Sequence, residues 1–175
     1  MSPTARFHFS TFDVTRQVFL HTRLSYGLVN LKPIVPGHVL VVPRRVVPRL
    51  ADLTPQEITD VFETVRRVGQ VVEKAYKGSA LTIACQDGPA AGQSVPHVHV
   101  HVIPRRWEDF GGRNDDVYPA LEAHEEELGQ GLKGEGRRRS GALKVDDEGR
   151  QARSVEEMEK EALWLRGMFP ESTDT

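Results

Sequence analysis

Several features are scarce in this 175-residue chain, and each scarcity excludes a class of protein. Cys85 is the single cysteine, so no disulfide can form within the chain and the fold does not depend on an oxidising compartment. No apolar run approaches the roughly 20 residues that cross a bilayer. The first ten residues also lack the apolar core of a secretory signal. We therefore expect a cytoplasmic or nuclear protein that makes no use of a membrane.

The chain also lacks an excess of either charge. It has 23 basic and 25 acidic residues and a formal net charge of -2, so no broad basic surface indicates a nucleic-acid partner. The length fits a single domain, which we place at 1–175. One stretch, 129–153, holds six of the 15 glycines and few apolar residues. Such a composition predicts a disordered insert, because it cannot bury enough apolar surface to offset its ordering entropy.

The spacing of apolar residues predicts an α+β domain. Short β-branched and aliphatic runs predict strands at 18–22, 25–30, 39–42, 80–86 and 97–104. Thr54 and Glu57 form a capping box ahead of an apolar stripe, which predicts a helix of about 20 residues. Ser154 and Glu157 form a second capping box and predict a C-terminal helix over 154–169. Strands, a long helix and two more strands indicate a mostly antiparallel sheet with helices on one face.

Three histidines, His97, His99 and His101, alternate with valines. Side chains of a strand point to opposite faces in turn, so the three imidazoles are predicted to share one face. A structural role is one interpretation of this row. A zinc site is another, but the first and third rings would lie about 13 Å apart at roughly 3.3 Å per residue. The interpretation we favour is catalytic, because a neutral imidazole can attack phosphorus while its neighbours fix its tautomer and stabilise charge.

The loop before the histidine row favours this interpretation. It is rich in small residues, including Gly88 and Gly92, which let backbone approach a ligand closely. Gln86, Gln93 and Ser94 offer neutral donors, and successive backbone amides in such a loop can hold phosphate oxygens.

These residues resemble a known family. The seven-residue sequence 97–103, alternating histidine with valine or isoleucine, is similar to the signature of the histidine triad hydrolases. Several other segments resemble the fragile-histidine-triad branch, whose members hydrolyse dinucleoside triphosphates. They include Leu28–Asn30, Lys32–Pro33, Val35–Val41, Arg66–Gly69, Val72–Lys74, Gln86–Pro89, Ala91–Gln93, Pro104–Arg106 and Arg113–Asp115. The resemblance covers about residues 7 to 127 and resumes at the last helix.

The resemblance implies a histidine-triad-like α+β fold and a mechanism. His99 would attack the α-phosphorus of diadenosine triphosphate, ADP would leave, and water would release AMP from the ring nitrogen. His97 and His101 would flank the phosphate, with His101 in contact with it. His38, in the turn before a predicted strand, would support the row.

The resemblance also implies how substrate is held and what accompanies it. Phosphate oxygens would bind Gln86, Gln93 and the backbone of Gly92–Val95, which includes Ser94 and Val95, and Asn30 would contact the ribose. Members of the branch are homodimers that pair sheets and long helices. A divalent cation, magnesium or manganese, would arrive with the polyphosphate, and we expect no tightly bound cofactor.

Three alternatives stay open at this point. A nucleoside phosphoramidate hydrolase of the same superfamily would share the triad and its loop. A nucleotide-binding signalling module with slow turnover would use the same residues for binding. A zinc protein would use the histidines as ligands.

Overall fold

The computed structural model describes residues 5–132 and 152–170. Its strands are β1 (His8–Phe9), β2 (Phe12–Asp13), β3 (Val18–His21), β4 (Ser25–Val29), β5 (Val39–Pro43), β6 (Ala80–Ala84) and β7 (Val100–Arg105). Its α-helices are α1 (Pro55–Ala75), α2 (Val117–Leu132) and α3 (Val155–Arg166). Short 3-10 turns join several of these elements.

The main sheet has five strands in the order β3-β4-β5-β7-β6, and every neighbouring pair is antiparallel. Strands β1 and β2 form a separate hairpin. In the centre of the sheet Val39 pairs with Val102 and Leu40 with His101. This register brings the later part of β5 beside the beginning of β7, whereas the turn before β5 lies beside the later part of β7. The predicted α+β class with a mostly antiparallel sheet is confirmed.

The capping box predicted at Thr54 starts α1. The Thr54 hydroxyl accepts a hydrogen bond from the Glu57 N–H, and the Glu57 carboxylate accepts one from the Thr54 N–H. Arg45 pairs with the same carboxylate at 2.7 Å and holds the pKa of Glu57 down to about 2. Arg45 thus ties the start of the helix to the segment after β5.

The sheet is covered on both faces. One face packs against α1 and α3 through side chains that carry no charge, which include Val39, Val41, Val61, Val65, Val68, Val100, Val102, Met158 and Leu165. The other face carries His101 and Ile103 and packs against the β1–β2 hairpin and α2. The expectation of helices on one face alone is therefore wrong, because α2 lies on the histidine face.

The strand predicted from His97 begins only at Val100. The Val98 N–H donates to the Val47 carbonyl at 2.8 Å, and the His97 N–H donates to the Val95 carbonyl at 2.8 Å. These bonds hold the preceding backbone against the segment after β5, outside the strand ladder. His99 lies one residue before β7, so it is next to the sheet and not part of a strand.

Helix α2 was not predicted. Its apolar residues Val117, Leu121 and Leu128 lie on one face of the helix and are all buried. The glutamates and glycines between them make this apolar pattern hard to recognise in the sequence. The structure also differs at both ends of the predicted insert, since residues 129–132 are helical and Arg153 donates to the Asn30 carbonyl. The rest of that prediction, 133–151, lies outside the described residues.

The second predicted capping box is present. The Ser154 hydroxyl accepts from the Glu157 N–H, and the Glu157 carboxylate accepts from the Ser154 N–H, at the start of α3. Within residues 5–132 and 152–170, no helix is both long enough and apolar enough to cross a membrane.

Candidate active site

Four histidines of the two central strands and their flanking segments form a buried cluster, and the ring of His124 from α2 packs against it. His38, His97, His99 and His101 are each at most 2% exposed. The rings of His99 and His101 lie 5.2 Å apart between centroids, as do those of His38 and His101. Burial makes each ring nitrogen a group that needs a partner, so the hydrogen bonds define which nitrogen carries the proton.

His97 is an anchor between two parts of the backbone. Its Nδ1 accepts a hydrogen bond from the Ser10 N–H at 3.0 Å, and its Nε2–H donates to the Pro43 carbonyl at 2.8 Å. Burial lowers the pKa of His97 to about 4. The ring is therefore neutral near pH 7 and both its nitrogens are occupied by backbone. What His97 offers to the site is its carbonyl group.

That carbonyl orients His99. The Nδ1–H of His99 donates to the His97 carbonyl at 2.7 Å. A neutral imidazole with its proton on Nδ1 has a lone pair on Nε2, which is the form that can act as a nucleophile. The chain thus points the reactive nitrogen of His99 away from its own backbone.

A second chain of bonds orients His101. The Ile34 N–H donates to Nδ1 of His38 at 3.2 Å, which leaves the His38 proton on Nε2. Nε2 of His38 lies 3.0 Å from Nδ1 of His101, so His101 accepts there and carries its own proton on Nε2. Burial lowers the pKa of both rings, with the neighbouring histidines adding to the effect. His101 is therefore a neutral donor.

Nε2 of His99 and Nε2 of His101 both lie close to the carboxylate of Glu125 on α2. Oε1 of Glu125 lies 2.7 Å from Nε2 of His99 and 3.2 Å from Nε2 of His101. Its other oxygen accepts from the Ser94 N–H at 3.1 Å, and the Ser94 hydroxyl donates to the Glu125 backbone carbonyl. Burial opposes ionisation, but hydrogen bonds from His101 and His99 outweigh it and hold the pKa of Glu125 well below its usual range. The histidines and Ser94 thus form a site for an anion.

The predicted binding residues differ in the contacts that they make. Asn30 is buried, and its Oδ1 accepts from Nε2 of His124 at 2.9 Å. A Cβ added at Gly92, where φ is +93°, would lie 2.7 Å from Nε2 of Gln86, so glycine lets these two groups approach. Gln93 donates through its amide to the Pro48 carbonyl at 2.8 Å. Val95 is buried in an apolar cluster, which leaves its backbone for any contact with a ligand.

The site fits a metal ion poorly. Ligand atoms of His99, His101 and Glu125 lie within 4.8 Å of one another. However, Nε2 of His101 carries a proton because His38 donates to the opposite nitrogen, so it has no lone pair for zinc. Magnesium and manganese prefer oxygen ligands, and this group offers only one carboxylate.

Sequence reasoning missed the contribution of α2. Glu125 and His124 lie on the same helical face as Leu121 and Leu128, three or four residues from each. All four are buried. The signal that could have identified them is a glutamate and a histidine within an apolar stripe, since burial of such groups demands partners.

Residues 11–108 match the model of the HIT domain family, which is more than half of the chain. The chain belongs to the HIT family. The match includes all four clustered histidines and the loop before them. It ends before α2, so the helix that carries Glu125 lies outside the matched domain.

Curated relatives of this HIT protein are enzymes of nucleotide metabolism. It is 51% identical over 176 residues to the asymmetrical bis(5'-nucleosyl)-tetraphosphatase of Schizosaccharomyces pombe, covering 95% of this chain and 96% of that protein. It is 47% identical over 155 residues to a bifunctional bis(5'-adenosyl)-triphosphatase/adenylylsulfatase of Arabidopsis thaliana, covering 88% and 78%. A bis(5'-adenosyl)-triphosphatase of Dictyostelium discoideum is 43% identical over 156 residues, covering 89% and 87%.

Solved structures agree with the fold. The Caenorhabditis elegans NitFhit protein superposes with a TM-score of 0.68 at 34% identity, covering 97% of this chain, which spans only 31% of that longer protein. The diadenosine triphosphate hydrolase of Plasmodium falciparum superposes with a TM-score of 0.66 at 28% identity, covering 95% and 85% of the two chains.

Proposed function

We propose that this HIT protein hydrolyses dinucleoside polyphosphates by attack of His99 on an α-phosphorus. One observation carries the proposal. The His97 carbonyl fixes the proton of His99 on Nδ1 and directs Nε2 into a site that is built to hold an anion. The names of the relatives supply the substrate class, because they describe tri- and tetraphosphatases acting on nucleoside polyphosphates.

The first step forms a nitrogen–phosphorus bond. The lone pair on Nε2 of His99 attacks the α-phosphorus, and the bond to the bridging oxygen breaks. For diadenosine triphosphate the leaving group is ADP, and AMP stays on the ring. His101 donates its Nε2–H to a non-bridging oxygen, where charge develops as the bonds change. The Ser94 N–H offers a second donor on the far side of the phosphate.

The second step restores the enzyme. A water molecule attacks the same phosphorus and gives up one proton to solvent. The nitrogen–phosphorus bond breaks, its electron pair returns to Nε2 of His99, and AMP leaves with one new oxygen from water. His38 keeps His101 in its donor form through both steps, since the bond between their rings leaves the His101 proton on Nε2. His97 contributes by holding its own carbonyl against His99.

Nucleotide binding extends from the phosphate site in two directions. Asn30 offers its side-chain amide to the ribose, and it is one residue past the end of β4. Gln86, Gly92, Gln93 and the backbone of Ser94 and Val95 line the loop that faces the remaining phosphates. A divalent cation would travel on the polyphosphate, since the site offers it no cage of protein oxygens.

Product analysis in water labelled with heavy oxygen tests the proposal. With diadenosine triphosphate, we expect equal amounts of AMP and ADP and the label only in AMP. With diadenosine tetraphosphate, attack at an α-phosphorus gives AMP and ATP, and comparing kcat/KM for the two substrates determines the preferred chain length. Cleavage of an adenosine phosphoramidate alone would move the protein to another branch of the family, and no cleavage of any of them would contradict the proposal.

We also propose a homodimer formed through β6, one of the two edge strands of the sheet. Among the residues that the structure describes, β6 has a neighbour on one side only, and its Ile83 is 48% exposed. An unpaired edge with an exposed apolar side chain can accept a strand of a second copy. A cytoplasmic or nuclear location is part of the same proposal, because the single cysteine requires no oxidising environment.

A further inference from the structure

Helix α2 fills the site that the reaction requires. The Glu125 carboxylate lies against each group that the mechanism places around a phosphate. These are the nucleophilic Nε2 of His99 at 2.7 Å, Nε2–H of His101 at 3.2 Å, and the Ser94 N–H, which donates to the carboxylate at 3.1 Å. A carboxylate and a phosphate are both anions that accept several hydrogen bonds. The protein therefore places an anion of its own in the anion site.

The contacts of α2 extend beyond the carboxylate. His124 donates to Oδ1 of Asn30, the side-chain atom proposed to meet the ribose. Leu128 is buried among apolar side chains that include Phe9 and Leu28 on the same face of the sheet. Lys32 pairs with Glu127 at 3.2 Å at the outer surface of the helix. One helix thus covers the phosphate site, the ribose residue and the apolar surface beside them.

Substrate and closed helix cannot occupy the site together. Reacting atoms must approach to about 3–3.5 Å before bond formation. Oε1 of Glu125 already lies 2.7 Å from Nε2 of His99, so a phosphorus atom has no access to that nitrogen. Two anions in this buried space would also repel each other strongly, because little water screens them.

The closed helix blocks the chemistry as well as the space. Nδ1 of His99 donates to a carbonyl, so the neutral ring presents a bare lone pair at Nε2. A lone pair and a carboxylate oxygen at 2.7 Å are two acceptors, and their contact requires a proton between them. A proton held between the two atoms engages the lone pair that would attack phosphorus, so the closed contact and the nucleophilic attack exclude each other.

We propose that α2 is an autoinhibitory helix, whose Glu125 carboxylate occupies the α-phosphate site until a nucleotide displaces it. The proposal depends on the proposed function for the identity of the competing ligand. The five strands of the main sheet pair with one another, so the sheet can keep its hydrogen bonds when α2 moves. In the closed state, Nε2–H of His99 and Nε2–H of His101 face Glu125, His124 faces Asn30 and His38, and Lys32 faces Glu127.

Glu125→Gln is the decisive variant. One carboxylate oxygen faces Nε2–H of His101 and the other faces the Ser94 N–H, so either orientation of a glutamine places its NH₂ group against a donor and removes the negative charge from the site. If the closed state predominates about tenfold, the variant lowers KM and the dissociation constant for AMP by about tenfold. The kcat value stays within about twofold. Glu126→Gln is the matched control, because Glu126 is the exposed neighbour on the same helix, and it changes neither value.

A distance measurement tests the movement without using turnover. Spin labels are attached at Glu126→Cys on α2 and Glu63→Cys on α1, both exposed, in a Cys85→Ala background. We expect a single narrow distribution of distances in the free protein, because α1 and α2 are held on opposite faces of one sheet. Saturating AMP, or a non-hydrolysable dinucleotide, shifts the distribution to longer distances. Adding Glu125→Gln gives the longer distances even without nucleotide.

The outcomes separate this proposal from the proposed function. A tenfold fall in kcat for Glu125→Gln with unchanged KM would overturn autoinhibition, since it would make Glu125 part of the reaction. An unchanged distance with nucleotide bound would overturn it too. If neither the wild type nor the Glu125→Gln variant binds a nucleotide, the proposed function fails. A longer distance in the variant would still show in that case that the carboxylate holds the helix closed.

Discussion

The two faces of the five-stranded sheet bury different kinds of side chain. The face under α1 and α3 buries hydrocarbon, with Val68, Val100 and Val102 fully buried. The face under α2 buries His99, His101 and Glu125, which depend on one another for hydrogen bonds. Burying apolar surface stabilises the fold without specifying partners, whereas a buried ionisable group is tolerated only when it is paired. The apolar contacts of the first face stabilise the fold, whereas the hydrogen bonds between the second face and α2 can be replaced by hydrogen bonds to a ligand.

This difference predicts that the two faces respond separately to change. Substitutions under α1 act on stability, whereas substitutions under α2 act on binding and turnover. The largest expected effect is on chemistry at the histidine face.

Replacing His99 with asparagine removes the nucleophilic nitrogen and keeps a polar side chain of smaller size. We expect kcat to fall by roughly 10³-fold or more, as for removal of other enzymic nucleophiles. Nucleotide binding remains measurable by calorimetry, and the thermal midpoint changes little. Wild-type turnover in this variant would show that another group attacks phosphorus.

The buried histidines make the free energy of unfolding of the protein depend on pH. The pKa of His97 is about 4 in the folded protein, below the value of about 6.5 in an unfolded chain, and those of His38 and His101 are also lowered. The unfolded chain therefore binds more protons, and the stability present above pH 6.5 is lost as the pH falls towards 4. His97 alone contributes at most about 3 kcal/mol to this loss.

Urea unfolding at pH 7, 6, 5 and 4 measures the effect. His97→Gln should give a shallower decline than the wild type. A free energy of unfolding that stays constant over this range would mean that the pKa values of these rings are the same in the folded and unfolded protein.

Truncation to alanine of a buried residue on α1 and on α2 should have unequal costs. Val68→Ala on α1 opens a cavity and lowers the free energy of unfolding by about 2 kcal/mol. Leu121→Ala removes more hydrocarbon but is on α2, which can detach, so we expect a loss below about 1 kcal/mol. Hydrogen exchange should show faster exchange in α2 than in α1. Equal losses in the two variants would mean that α2 belongs to the cooperative core.

The smallest effect concerns the edge of the sheet, away from both faces. Ile83→Lys places a charge on β6 and should convert a dimer to a monomer in light scattering. Val46→Lys is the control, because Val46 is also 48% exposed but lies outside the strands. A wild-type monomer, or a dimer that survives Ile83→Lys, would contradict the proposed interface.

Much of the fold could be predicted because its signals are local. The box of Thr54 and Glu57 starts α1, and that of Ser154 and Glu157 starts α3, as their spacing indicated. The α+β class follows from the order of the strands and helices that the apolar spacing predicts, the family follows from its resemblance in the histidine row, and both are confirmed. The hydrolase activity agrees with the names of the relatives. The roles of the individual site residues stay predictions.

The sequence by itself determined which groups could react, because the residue types and spacing of 97–101 specify imidazoles beside a small-residue loop. Only the tertiary structure decided their chemical state. The His97 carbonyl, the Ile34 N–H and the Pro43 carbonyl come from three places in the chain, and each fixes a proton on a ring. Tertiary structure also placed Glu125 against His99, 26 residues away. A proton belongs to whichever partner lies within hydrogen-bonding distance, and sequence spacing does not specify such distances across a sheet.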